Sequence, residues 1–355
     1  MRKYSQELVN SCLNNIKQGL AFDININLVP IPDLSKDGVL DPREEEVTRN
    51  LAHHSGSIAD LRKHNGYPNE NINSEDIESD VIYLSNKTPL FVYQNKRDLD
   101  KLKPAVLYVH GGAWLAGSAK MHENTCKFIA ELFNAKVFNL DYSLAPENPY
   151  PCSLNESKEA IRYIYDNAAK LGVDNNRIIT SGDSSGANLV LCAIQSDIYH
   201  MVKAQILYYP CVTFYIEDTP FKWDIKEYQI AGEQFKLINS RLGLGRNDNK
   251  GSIEMMKVTG MIYLRHNEDR LSPTISPLYG DIKKNPKTIM FTAEYDGLRI
   301  QDEYFSSLLA KHGVDVITYR FKGLTHAYMD KMGVFPQAEA SLILAKENLV
   351  KWGIL

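Results

Sequence analysis

The sequence predicts an α/β protein with a mostly parallel central sheet of about eight strands, flanked by helices. Three observations carry that prediction. From residue 80 onward, short apolar runs alternate with amphipathic stretches, as a strand–helix repeat requires. Three of the runs, Val106-Leu107-Tyr108-Val109, Ile206-Leu207-Tyr208-Tyr209 and Thr288-Ile289-Met290-Phe291, are apolar at nearly every position. Continuous apolar runs suit parallel strands covered by helices on both faces. A glycine-flanked serine also sits directly between a strand pattern and a helix pattern, a junction that α/β sheets use.

The expected strands are 80–85, 89–94, 105–110, 136–142, 178–183, 204–210, 288–295 and 315–322. The expected helices are 121–134, 153–170, 186–199, 299–312 and 337–351. Residues 1–75 are polar and predict helix without strand. Leu8, Val9, Cys12, Leu13, Ile16 and Leu20 recur at helical spacing over 6–20. A second helix is expected to start at Asp41, with Pro42 at its first position. The run Glu44-Glu45-Glu46 then reads as a solvated helix start near the positive end of the dipole. Residues 211–275 interrupt two good strands with aromatic-rich sequence, too long for a structureless loop, and predict a small helical insertion.

Composition narrows the function. The 355 residues are 44% apolar and 24% charged, which excludes collagen-like, disordered and coiled-coil classes. A net charge of −4 offers no electrostatic basis for nucleic-acid binding. The five cysteines, Cys12, Cys126, Cys152, Cys192 and Cys211, contain no C-x-x-C pair, so neither a disulfide framework nor a zinc site is signalled. No apolar run is long enough to span a bilayer and no secretory h-region follows Met1. A cytoplasmic protein without a metal site is expected.

The chemistry concentrates in three places. Gly182-Asp183-Ser184-Ser185-Gly186 places Ser184 on a tight turn between strand and helix, where small neighbours let its oxygen project above the sheet. His110-Gly111-Gly112-Ala113-Trp114 follows the strand 105–109. A Gly-Gly turn there can aim N–H groups at a developing oxyanion, and Gly111, Gly112 and Ser185 are the expected donors, with His110 bracing the turn. A serine needs a base, usually a histidine steadied by a carboxylate. Of nine histidines, His53, His54, His64, His122, His200, His266 and His312 lie in helix-like or polar stretches, and most of them read as surface groups. His326 follows the last strand, and Asp296 ends the strand 288–295. Asp302 and Glu303 are alternative carboxylates, placed inside the next helix. The order Ser184, Asp296, His326 is the one a strand–elbow–helix hydrolase uses.

With those residues assigned, the chain resembles the hormone-sensitive-lipase-like branch of the α/β-hydrolases. That family carries a His-Gly-Gly-Gly turn, a Gly-Asp-Ser-Ala-Gly elbow and, between them, a block here written Asp141-Tyr142-Ser143-Leu144-Ala145-Pro146-Glu147. Ser276-Pro277-Leu278 adds a further match, and the resemblance covers roughly 78–210 and 271–355. It implies a carboxylesterase with Ser184, Asp296 and His326 as triad, a small-molecule ester as substrate and no cofactor. It also implies a helical cap formed by residues 1–75 and 211–270 over a core of 76–210 and 271–355. Homodimerisation through the last strand and helix, 315–351, is a family-level implication.

Four positions depart from the family pattern: Ala113 for the third glycine, Ser185 for alanine, Gly297 for a proline, and Ala327-Tyr328 for Gly-Phe. Gly297 predicts a looser acid loop, and the Ser185 hydroxyl a contact with elbow or substrate. Trp114 is expected either to wall the substrate pocket or to pack in the core. Other outcomes stay open: a deacetylase of sugar or metabolite acetyl esters, an amidase, a membrane-surface lipase using helix 6–20, and a non-catalytic small-molecule receptor on the same fold.

Overall fold

The computed structural model describes residues 1–355 except 51–56, 65, 68, 97–100, 216–217, 243–250 and 266–267. His53, His54 and His266 lie outside the described residues. A ten-stranded sheet runs through the molecule. Its strands are β1 (Lys17–Ala21), β2 (Ile24–Val29), β3 (Ile77–Tyr83), β4 (Pro89–Asn95), β5 (Lys103–Val109), β6 (Lys136–Leu140), β7 (Val173–Asp183), β8 (Ala204–Tyr208), β9 (Lys287–Tyr295) and β10 (Val316–Thr325). Their spatial order is β1-β2-β10-β9-β8-β7-β5-β6-β4-β3. All pairs from β2 through β6 are parallel, and the outer pairs β1–β2, β6–β4 and β4–β3 are antiparallel.

The helices are α1 (Gln6–Asn14), α2 (Pro42–Asn50), α3 (Ile58–His64), α4 (Glu123–Phe133), α5 (Cys152–Asp166), α6 (Ala168–Leu171), α7 (Ser185–Ile194), α8 (Phe235–Leu242), α9 (Gly251–Tyr263), α10 (Arg299–Lys311) and α11 (Pro336–Lys351). They cover both faces of the sheet, which explains its apolar strands. In β5, Leu107 and Val109 join a core with α5, α7 and α10. Val106 and Tyr108 point the other way, into a core with α1, α4 and α11. Successive side chains alternate between faces, so a strand sandwiched by helices has no solvent side to mark with polar residues. Among the described residues, no helix is long and apolar enough to cross a membrane.

The N-terminal segment differs from expectation. The helix ends at Asn14, and residues 17–29 form a hairpin that extends the sheet. Its two-residue turn places Phe22 and Asp23 at φ 48° and 67°, the left-handed pair that matches strand twist. Leu20, assigned by spacing to a helical face, is 74% exposed on β1. The alternation Ile24-Asn25-Ile26-Asn27-Leu28 is the strand signal that the helical stripe obscured. β2 then lies along β10, with Tyr319, Arg320 and Phe321 opposite Asn27, Leu28 and Val29. The edge of β10 is therefore occupied, and a dimer cannot form by pairing that strand. Nor is a surface helix available over 6–20, because α1 buries Val9 and Cys12 in the core shared with α11.

α2 begins as its sequence predicts: Asp41 Oδ1 accepts from the Arg43 backbone N–H at 2.9 Å. Glu44, however, is fully buried rather than solvated. The insertion is helical as expected, through α8 and α9. It meets the N-terminal segment where Ala231 donates its backbone N–H to the Gly38 carbonyl at 2.7 Å and Gln234 Nε2 donates to Glu45 at 3.0 Å.

Candidate active site

Ser184 stands between β7 and α7 at φ 53°, ψ −118°, a conformation that costs a residue with a side chain on the order of 1–3 kcal/mol. The surroundings hold it there. Ser184 donates its backbone N–H to the Tyr208 carbonyl at 2.9 Å, and its own carbonyl accepts from Asn188 at 3.1 Å. Gly186 is required by approach: a Cβ there would lie 2.0 Å from the Val109 carbonyl oxygen. Gly182 is equally confined, with the Gly186 carbonyl carbon 2.7 Å from any added Cβ. The elbow thus presses against the end of β5, beside the turn that follows it.

Three distant residues converge above the sheet. His326 Nε2 lies 2.9 Å from Ser184 Oγ, and His326 Nδ1 lies 2.7 Å from Asp296 Oδ2. A carboxylate only accepts, so Nδ1 carries the proton and Nε2 presents its lone pair to the serine hydroxyl. Burial opposes a charge on His326, but the Asp296 carboxylate more than offsets it and holds the imidazole above its ordinary value. Asp296 is almost fully buried. Its Oδ1 accepts from the Leu298 backbone N–H at 2.8 Å, and its carbonyl from the Tyr228 hydroxyl at 2.9 Å. Such an arrangement can deprotonate a serine and stabilise the imidazolium that results.

The glycine turn departs from expectation at Gly111. Its single N–H is engaged by Asp183 Oδ1 at 2.9 Å and cannot also face an oxyanion. Among the described residues, no protein acceptor takes the backbone N–H groups of Gly112 and Ala113. Ser185 opens α7, where a backbone N–H has no carbonyl one turn back. His110 braces the turn as anticipated: Nδ1 donates to the Gly111 carbonyl at 2.7 Å and the ring stacks on Tyr142 at 4.2 Å. Burial pushes its pKa down to about 3, so the ring stays neutral.

A cavity of about 450 Å³ opens over these groups, with Ser184, His326, Gly112, Trp114 and Arg241 in its wall. Trp114 belongs to the packed core and to the cavity wall at once. It lines the cavity, yet is only 4% exposed, stacked on Tyr263 at 4.9 Å and tilted on Phe214 at 4.7 Å.

A family model for the alpha/beta hydrolase fold matches residues 106–330. An arylesterase of Saccharolobus solfataricus is 32% identical over 227 residues, covering 63% of this chain and 68% of that protein. Carboxylesterase NlhH of Mycobacterium tuberculosis is 30% identical over 253 residues, covering 70% and 74%. The chain belongs to the α/β-hydrolases, in their carboxylesterase branch. A solved structure of a hyperthermophilic esterase from Pyrobaculum calidifontis superposes with a TM-score of 0.71 at 25% identity, over 89% of this chain and all of that one.

Further contacts support the site of this α/β-hydrolase. The Gly297 carbonyl accepts from Trp223 Nε1 at 3.0 Å, so the insertion pins the acid loop that a missing proline was expected to loosen. Ser185 Oγ turns away from the cavity toward the Tyr142 hydroxyl, 3.4 Å away. Ala327 takes up a left-handed φ of 67°, and Tyr328 is fully buried. Glu303 is bound by Arg299 and Arg320. Asp302 has no hydrogen-bond partner among the described residues, and burial drives its pKa upward. Neither touches His326.

Sequence reasoning missed several neighbours of this α/β-hydrolase site. Tyr209 sets its ring 4.7 Å from that of His326, edge-on. His122, expected on the surface, is fully buried behind the elbow, 3.4 Å from carboxylate oxygens of both Asp183 and Asp330. Asp183 lay in plain view inside the elbow motif, but nothing local assigns it to Gly111. For Tyr209 and His122 no periodicity or motif supplied a signal.

Proposed function

We propose that this α/β-hydrolase is a serine carboxylesterase for short-chain esters, working through Ser184, His326 and Asp296 and an acyl-enzyme. The observation that supports it is the continuous hydrogen-bonded line from Ser184 Oγ through both nitrogens of His326 to Asp296, within the wall of the cavity. His326 Nε2 takes the hydroxyl proton as Ser184 attacks the ester carbonyl. The oxyanion is held by the N–H groups of Gly112, Ala113 and Ser185, replacing the set that began at Gly111. His326 then passes the proton to the leaving alkoxide, and water, deprotonated by the same nitrogen, releases the acid.

The cap reading is supported by the cavity wall, where Leu61 of the N-terminal segment and Arg241, Leu242 and Thr259 of the insertion face the elbow. In this reading 1–75 is divided, α1 and the hairpin serving the core, and α2 and α3 the cap. All five cysteines are unpaired, consistent with a reducing cytoplasm. The test compares wild type and Ser184→Ala on p-nitrophenyl esters of increasing acyl length. Hydrolysis should peak at short chains and fall by several orders of magnitude in the variant. Equal rates in the two proteins would refute the assignment.

A further inference from the structure

Most of the cavity wall named above is apolar or belongs to the hydrogen-bonded line itself. Arg241, near the end of α8, is different. Its Nε and Nη2 donate to Thr325 Oγ1 at 3.2 and 3.0 Å, which fixes one edge of the guanidinium beside the residue that precedes His326. Thr325 Oγ1 in turn donates to Glu44 Oε1. Nη1 has no partner among the described residues, while the side chain faces the cavity.

The local charge is unequal. Glu44 is fully buried and serves two cations: Lys331 Nζ at 3.3 Å, and Arg241 Nη2 at the longer distance of 4.0 Å. Because Glu44 is shared with Lys331, it offsets Arg241 only in part, and among the described residues of the wall Arg241 is the one Lys or Arg side chain that reaches the cavity. The carboxyls of the same wall are engaged elsewhere. Asp296 accepts from His326, Asp183 from Gly111 and Tyr108, and Asp330 sits against His122. Burial holds both Asp183 and Asp330 above the ordinary carboxyl value.

A guanidinium with one edge anchored and the other free, in a cavity with apolar walls, is suited to a carboxylate. We infer that Arg241 selects ester substrates that carry a free carboxylate. It acts as a specificity-determining residue that binds that group beside His326. The inference rests on the esterase reading for its reaction, but not for its binding step.

Two matched pairs of substrates test it. In one, the anion is on the acyl side: mono-p-nitrophenyl glutarate against its neutral isostere, p-nitrophenyl 5-methylhexanoate. In the other it is on the alcohol side: 3-acetoxypropanoate against isopentyl acetate, followed by pH-stat. In at least one pair, Arg241→Gln should lower the anionic-to-neutral ratio of kcat/KM by about tenfold or more, the scale of one charge-assisted contact. Arg241→Lys should keep the larger part of the preference. Ratios in Arg241→Gln within about twofold of wild type in both pairs would overturn the inference. Calorimetry with 3-acetoxypropanoate and glutarate on Ser184→Ala decides the point without turnover. Adding Arg241→Gln should weaken binding of at least one of them about tenfold, and unchanged binding of both overturns the inference. Failure of wild type to hydrolyse any neutral ester would instead strike the esterase reading alone.

Discussion

Gly111 gives its backbone N–H to Asp183 Oδ1 at 2.9 Å, joining the glycine turn to the residue beside Ser184. The Tyr108 hydroxyl donates to the same oxygen at 3.0 Å. This bond ties the turn to the elbow, and the next two residues, Gly112 and Ala113, line the cavity with N–H groups that no protein acceptor takes among the described residues. Asp183→Asn can keep an acceptor in place and should retain most activity. Asp183→Ala releases the turn, and kcat should fall by about 10- to 100-fold, short of the loss from deleting a donor outright. Steady-state kinetics on one short ester separates the two outcomes.

Burial raises Asp183 to about 6 from 3.8. Between those values the folded chain holds a proton that the unfolded chain has released. Stability contributed by this group is therefore lost as pH rises through that window. Asp183→Asn removes the titrating group, so its melting temperature should vary less than that of wild type between pH 4 and 7, read by thermal melts across that range.

In the proposed reaction His326 must be neutral to accept the serine proton, and Asp296 holds it above its ordinary value despite burial. The acid limb of kcat/KM should thus lie above the 6.5 of an ordinary histidine. Asp296→Asn should move that limb down while kcat drops by about 10⁴-fold. The protonated pair also stabilises the fold below the ordinary histidine value, and that contribution is lost as pH rises through the elevated one.

Trp114 fills space between Phe214 and Tyr263 while bounding the cavity. Trp114→Ala should extend the accepted acyl chain and destabilise the fold by about 3–5 kcal/mol. An acyl-length series and urea unfolding measure the two effects on one protein. An unchanged chain-length cutoff would mean that the ring only packs.

Glu44 is buried against the partly buried guanidinium of Arg241 and the buried ammonium of Lys331. Glu44→Ala strands that ammonium and should cost about 3–5 kcal/mol. Lys331→Met in the same chain should recover part of the loss, since the unpaired charge is the expensive element. Urea midpoints of the single and double variants give the comparison.

How much of this could be read in advance follows from what each feature depends on. The strands from 77 to 325 and the helices between them rest on local periodicity and burial on both faces, and the sequence displays both. Ser184, Asp296 and His326 sit at strand ends, so strand order alone brings them together. Gly111 was misassigned because its partner, Asp183, is 72 positions away. The charge of Glu44 suggested solvent, yet its partners come from α8, β10 and the segment after β10. The hairpin 17–29 was hidden because a helical stripe of apolar residues overlapped a period-two run, and only the free flank of β10 decides between them.

That flank has a consequence for how the chain is made. Asn27 Nδ2 donates to the Thr318 carbonyl at 3.2 Å, across 291 positions. Nearby, Arg2 and Tyr4 bind Glu339 of α11 at 2.7 Å. On the ribosome, the hairpin emerges early and has no strand to join until β10 has also emerged. Closure of the sheet is therefore a late, non-local event. The partner that receives it is the strand leading directly into His326, so a segment made 291 positions earlier secures that strand only once β10 has emerged.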